Sequence, residues 1–441
     1  MLPITRPRRQ ALATLALLAV SVTPTAYVTQ LAWKVNRPGH RRDVEVEIGR
    51  QLGLQVTLEG VRYPRPGEVV YRGAVLWQVE PRQKRLAEIA RAATVRVRRG
   101  DRQLTLQTEG LRLHGEGPEL AMAQVGALLQ RAGADAWDRV SLAAPTCEVE
   151  LGDGGPETLR YSFRDLVGTF QADRGAPRVT ASYRLVGDRD GSANRCELVL
   201  TRDRGGKTVR TSIAFKTADG LPLPARVLDP FFASAPWLGP DARVQGTLAL
   251  EQDGASPWGA TFQGILTDVD LAALVGRWSP EHRLRGRARV EIAAARWADR
   301  WVEASGTLAT GPGTISPALL GALKSEMSFR LAGPLEARHD DVAFDRLALR
   351  FAMSPDGQLQ LAGGLGTEFD PDVVLVGAGR LAPLAKAPDG AANVLGLIKT
   401  LTPLPADDPT ILVPFTPESQ ALQRYLPVPA GAARVNTAVG N

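Results

Sequence analysis

Between Ser141 and Thr217 the chain repeats one pattern. The runs SLAAPTCEVEL, LRYSFRDLVGTFQAD, RVTASYRLVG, RCELVLTRD and TVRTSIAFKT follow one another, separated by the turn-forming clusters GDGGPE, VGDRDGSAN and RDRGGK. Val179, Ala181, Tyr183 and Leu185 are in phase, as are Ile213 and Phe215. Successive side chains on a strand point to opposite faces, so each such run presents one apolar face. Runs of this length joined by short polar turns, with no helical pattern between them, predict an antiparallel meander. The 44 Gly and 32 Pro, spread along 441 residues, suit many short strands.

The N-terminal part obeys a different rule. Ala11 to Trp33 carries no charge, with Arg6, Arg8 and Arg9 before it and Lys34, Arg37, Arg41 and Arg42 after it. As a helix this stretch would rise roughly 34 Å, enough for a hydrocarbon core of about 30 Å. An uncleaved membrane anchor is the expectation. The alternative is a cleaved signal peptide, for which Ala11 to Val22 has the length and Thr25-Ala26 the small residues. Arginines flank both ends and do not set the orientation. Both readings put the bulk of the chain outside the cytoplasm, provided the N-terminus stays in.

After the anchor, Val44, Ile48 and Leu52 recur at steps of four and predict a short helix ended by Gly53. QVTLEGV and VVYRGAVLWQVE flank a turn at Pro66-Gly67. Arg82 to Arg91 is charged and polar, and the next strand is expected at ATVRVRR. Leu104 and Leu106 are in phase, and so are Leu111 and Leu113. The one-residue shift at Glu109-Gly110 predicts a bulge or turn. Glu119 to Ala132 reads as an amphipathic helix. Asp219 to Pro240, with five prolines, reads as a boundary. Beyond it several strands begin or break at glycine (Gly246, Gly264, Gly286, Gly306), a short internal repeat. Asp356-Gly357 marks a hairpin, Asn393 to Leu401 a short helix, and the tail after Thr402 is expected to lose order toward its end. The expected division is therefore a basic segment 1–10, an anchor 11–33, a β-rich region 43–218, a boundary 219–240, a second β-rich region 241–401 and a tail 402–441.

Little in the chain suggests bond chemistry. No Gly-x-Ser-x-Gly elbow, Walker loop or His-Glu-x-x-His motif occurs. His339, Asp340 and Asp341 are consecutive, so on a strand they cannot share a face, and a surface loop is expected rather than a metal site. Asp268 and Asp270 read as capping the DLAALVG turn rather than as a glycosidase pair. Gly311-Pro312-Gly313 is a turn, and Trp297 and Trp301 flank a hairpin. Cys147 and Cys196 lie in alternating runs; outside the cytoplasm they could pair, and two buried thiols fit equally well. The net charge of +6 and the aromatic fraction of 6% do not describe a nucleic-acid surface.

Three stretches resemble the AsmA-like family of envelope proteins, a group related to TamB and YhdP. These are the anchor running into VEVEIGRQLGLQVTLEGVRYPRPGEVVYRGAVLWQVE, then LAEIARAATVRVRR, and the later block VDLAALVGRWSPEHRLRGRARVEIAAARWADRWVEASGTLATGPGTIS. The resemblance implies an elongated, twisted sheet curled into a groove whose apolar inner face conducts or shields lipid chains. The expected fold is thus mainly β: an N-terminal transmembrane helix, then an elongated antiparallel sheet forming an AsmA-like groove, with a few short helices. The expected function is non-enzymatic lipid transport or envelope biogenesis, including outer membrane biogenesis, with no cofactor. Leu248, Leu250, Val290 and Ile292 are the groove candidates. Expected partners are membrane lipids and other envelope proteins, not nucleic acid. The expected location is the inner membrane, single-pass, with the bulk on the periplasmic side. The competing reading is a structural or interaction scaffold with a closed core and no ligand. A carbohydrate-active enzyme comes third.

Overall fold

Alternation and turn chemistry together produce a mainly β chain whose large twisted sheet is mostly antiparallel. The computed structural model describes residues 6–79, 86–115, 117–131, 137–151, 159–173, 175–185, 196–217, 222–225, 235–298, 300–379, 382–402 and 416–427. The chain divides into two compact units. The first holds residues 1–126 and 139–167, the second 127–138 and 168–441.

The first unit begins with the helix Arg6–Asn36, which contains the whole uncharged stretch. Its hydroxyls turn inward onto the helix backbone: Thr14 donates to the carbonyl of Gln10, Ser21 to Leu17, Thr25 to Ser21 and Thr29 to Thr25, at 2.6–2.9 Å. Such bonds satisfy a hydroxyl without water. Among the described residues, no helix is long and apolar enough to cross a membrane. The next helix, His40–Leu52, ends as expected at Gly53, whose φ of 69° allows the left-handed cap and whose N–H donates to the Gly49 carbonyl.

Gln55–Thr57 and Gly60–Arg65 both pair antiparallel with Glu68–Val79, which pairs with Leu86–Arg99. That last strand starts earlier than the ATVRVRR pattern indicated, because Ala87, Glu88 and Ala90 extend the ladder onto Gln78, Trp77 and Leu76 across a bulge. Gln103–Glu109 and Leu111–Leu113 continue against it in one unbroken register. Gly110, with φ of 62°, bends the strand without shifting its pairing, so the expected bulge is a kink. Both segments then pair with Arg139–Leu151 in parallel. The expected antiparallel sheet thus contains a parallel junction. A parallel neighbour needs a crossover connection, and the helix Gly117–Arg131 lies in that connection.

In the second unit the meander holds. Arg178–Leu185, Cys196–Asp203, Arg210–Lys216, Arg243–Asp253, Gly259–Asp270, Arg287–Ala298, Arg300–Thr310, Val342–Met353 and Gln358–Gly363 pair antiparallel, each with the next. Arg210–Lys216 and Arg243–Asp253 lie on either side of the proline-rich 219–240 segment, so the sheet runs through the expected boundary. Residues 218–221 and 226–234 of that segment lie outside the described residues.

The repeated glycines acquire a common meaning here. Gly246 pairs with Gly264, Gly264 with Ile292, and Ile292 with Gly306, forming one row across four strands. A Cβ on Gly246 would stand 2.2 Å from the Gln263 carbonyl oxygen. On Gly264 it would stand 2.1 Å from that of Gln245, and on Gly306 2.1 Å from that of Glu291. Neighbouring backbones occupy the space a side chain would need.

Helices close the C-terminal end. Phe344, Leu320, Leu375, Val394 and Ile398 are each at most 2% exposed and belong to one core formed with Leu319, Met327 and Leu422. Asn393 caps Val394–Leu401 by accepting from the Gly396 N–H. Helices beyond the sequence expectation are Ala235–Leu238, Pro317–Met327, capped by Ser316, and Pro417–Tyr425, capped by Thr416 and Ser419 acting reciprocally. Pro417–Tyr425 lies in the tail ahead of the end that is expected to lose order. Residues 403–415 and 428–441 lie outside the described residues.

Candidate functional site: one apolar face of the second sheet

Partners in an antiparallel ladder share a face, so the register identifies what each side of the sheet presents. Leu198 pairs with Phe215 and Phe215 with Leu248; Leu200 pairs with Ile213 and Ile213 with Leu250. Leu248 then meets Phe262, Val244 meets Leu266, Leu266 meets Val290, and Val290 meets Leu308. Leu308 pairs with Leu349, and Ile292 with Gly306, which faces Phe351. The four groove candidates therefore lie on one apolar face. The opposite face carries Glu197, Ser212, Thr247, Glu251, Gln263, Glu291 and Thr307 in the intervening positions.

Burial along this face is uneven. Leu248 and Val290 are 3% and 9% exposed, whereas Leu250, Ile292, Ile213, Phe215, Phe262 and Leu308 are only half-buried. Leu248 packs with Leu223 and Val244, joined by Phe215, Leu250, Phe262 and Leu266. Val290 packs with Val269, Leu271 and Ala288, joined by Leu266, Ile292 and Leu308. Leu266 touches both clusters and links them.

The chemistry-bearing side chains have structural partners. Asp270 caps Leu271–Gly276, its Oδ1 accepting from the Ala272 N–H at 2.9 Å. Asp341 binds Arg283 at 2.7 Å, and that guanidinium holds its carboxyl below the usual range; His339 is exposed. Trp297 and Trp301 pair across a hairpin in the backbone ladder. Arg277 lies over Trp237 and Trp278, 5.4 and 5.7 Å from the ring centroids, in a cation–π arrangement. In the first unit, His114 Nδ1 meets Glu150 Oε2 at 3.0 Å, and this contact draws the Glu150 carboxyl down. Cys147 is buried, and desolvation pushes its thiol up to about 11. Among the described residues, no three His, Cys, Asp or Glu side chains converge as a metal site. An open groove of about 330 Å³ is lined by Thr267, Asp268, Arg287, Arg289 and Thr310. Asp268 lines it from one strand end, with Asp270 two residues on, and Arg287 in its wall meets Asp241 at 2.7 Å.

The second unit is thus defined by an antiparallel sheet with one polar and one half-covered apolar face, closed by helices at its C-terminal end. No family model matches the chain, and no curated protein and no solved structure matches it.

Proposed function

We propose that this chain is a membrane-anchored envelope protein that handles lipid, holding acyl chains against the apolar face of its second sheet, as the AsmA-like resemblance implies. One observation carries the reading. Half-buried Leu250, Ile292, Ile213, Phe215 and Phe262 lie on one side of a sheet whose other side is polar. Apolar area exposed in this way is costly in water, at about 25 cal/mol per Å², and an acyl chain would remove it. The mechanism is passive solvation with no bond made or broken. The helix Arg6–Asn36 would hold the chain in the membrane, a role supported by its uncharged centre, its arginine flanks and its internally bonded hydroxyls.

The test is photo-crosslinking in cell membranes with benzoylphenylalanine placed singly at positions 250, 292, 249 and 291 of the full chain. Lipid adducts from 250 and 292, but not from the polar-face neighbours 249 and 291, support the reading. Equal or no lipid capture from all four positions overturns it. The closed-scaffold reading draws on the dry core around Phe344 and Ile398, and it gains if position 250 captures only protein.

A further inference from the structure

The first unit has a face of a different kind. Arg62 pairs with Val70 and Val70 with Arg96; Arg65 pairs with Glu68 and Glu68 with Arg98; Arg72 pairs with Thr94. Ladder partners share a face, so Arg62, Arg65, Arg72, Arg96 and Arg98 all emerge on one side of three adjacent strands, and all five are exposed. A single carboxylate answers them at close range. Glu68, 6% exposed, lies between Arg96 at 3.3 Å and Arg98 at 3.4 Å. Arg62, Arg65 and Arg72 have no carboxylate within ion-pair distance among the described residues. Elsewhere many exposed arginines meet a carboxylate, as Arg91 meets Glu88, Arg112 meets Glu148, Arg210 meets Glu251 and Arg287 meets Asp241.

Two strand spacings put Arg62 and Arg96 about 10 Å apart, close to the Debye length at physiological salt. Like charges held at that spacing repel, and folding alone gives no reason to gather them. An extended anionic surface would turn the same spacing into an attraction. The position of the face on the chain says which surface. His40 follows the Arg6–Asn36 helix by four residues, and its Nε2 meets the Tyr63 hydroxyl at 2.8 Å. That contact ties the hairpin bearing Arg62 and Arg65 to the start of the helix His40–Leu52, which follows the Arg6–Asn36 helix after three residues. Tyr63 is 38% exposed, and exposed Arg42 meets no carboxylate at ion-pair distance among the described residues.

We propose that the Arg62, Arg65, Arg72, Arg96 and Arg98 face docks on the anionic headgroups of the bilayer that holds the Arg6–Asn36 helix. The proposal rests on the anchor reading given under Proposed function. Each arginine brought to an anionic surface strengthens the contact about fivefold, so the three without carboxylates together supply on the order of a hundredfold.

The experiment uses the full chain in nanodiscs of phosphatidylcholine with and without phosphatidylglycerol. Arginines are modified with phenylglyoxal and read by mass spectrometry. Modification of Arg62, Arg65 and Arg72 is expected to fall several-fold in the anionic discs and to recover at high salt, while Arg289 and Arg300 of the second unit do not change. In the triple variant R62Q/R65Q/R72Q, Arg96 and Arg98 should react equally in both lipids. Equal modification of Arg62, Arg65 and Arg72 in both discs, with the chain incorporated, overturns the docking and leaves the anchor reading standing. A chain that does not incorporate at all overturns both. Protection by inorganic phosphate in purely zwitterionic discs, as strong as that by phosphatidylglycerol, overturns the bilayer as the occupant.

Discussion

Gly306→Ala is expected to be among the most damaging single-methyl additions in this protein. The new Cβ would lie 2.1 Å from the Glu291 carbonyl oxygen, 3.1 Å from its carbon and 3.2 Å from the Ile292 Cα. Ordinary contact begins near 3.4 Å, so the backbone must open by about 1.3 Å, and no flexible side chain is there to yield. Opening separates Ile292 from Gly306 and Glu291 from Thr307, the two ladder positions at that point. Two weakened hydrogen bonds at roughly 1 kcal/mol each, with overpacking strain of about 1–3 kcal/mol, give a loss of about 3–5 kcal/mol. Gly126→Ala is the internal control. It lies in the helix Gly117–Arg131 with nothing within 4 Å of its Cβ, and it should gain about 0.5–1 kcal/mol. Urea unfolding followed by amide exchange assigns each change to its own unit, which a single global transition could not do in a chain of two units. With a slope near 3 kcal/mol/M, the midpoint of the second unit should drop by about 1–1.7 M in Gly306→Ala. A midpoint within experimental error of the parent, with unchanged exchange at Glu291 to Thr307, would refute the packing argument.

Other outcomes follow from buried titratable groups. His282 is 2% exposed, and desolvation lowers its pKa, against the opposing pull of Glu281 and of the Thr400 backbone. The unfolded chain then binds a proton more readily, so stability of the second unit is intact above about pH 6.5 and is lost as pH falls toward the folded value. His282→Gln should flatten that slope, as read from urea midpoints between neutral pH and about pH 5; an unaltered slope would assign the acid sensitivity elsewhere. Cys147, buried with its thiol raised to about 11, should resist alkylation at neutral pH in the native protein and react on addition of urea. Rapid native labelling would mean that the strand Arg139–Leu151 opens readily.

Some of this was legible from local pattern. The cap at Gly53, the hairpins at Pro66-Gly67 and Asp356-Gly357, the helix after Asn393 and the Asp270 cap all follow from residues within a turn of one another. Ser316-Pro317 and Thr416-Pro417-Glu418-Ser419 carried the same kind of start signal, a capping residue followed by proline at the first helical position. Glycine and proline nearby give these stretches the look of turns and tail as well, so the start signal alone does not decide between them. The kink at Gly110 could be placed in sequence, but not its type. The unbroken register there depends on the partner strand Leu86–Arg99, and that strand's own start lay hidden in charged residues.

Alternation by itself determined that this is a β-rich chain with one-faced strands, because the period of two is a property of the extended backbone. It also determined that Leu248 and Leu250 share a face, and that Val290 and Ile292 do. Tertiary structure alone decided that the two pairs share the same face, since that depends on the long-range register in which Val244 meets Leu266 and Leu266 meets Val290. It decided as well that scattered glycines form one row, that Arg139–Leu151 joins its neighbours in parallel, and that five arginines between Arg62 and Arg98 gather on one side. Which strands become neighbours is set by long-range pairing and helix packing, and neither leaves a mark within a single run of residues.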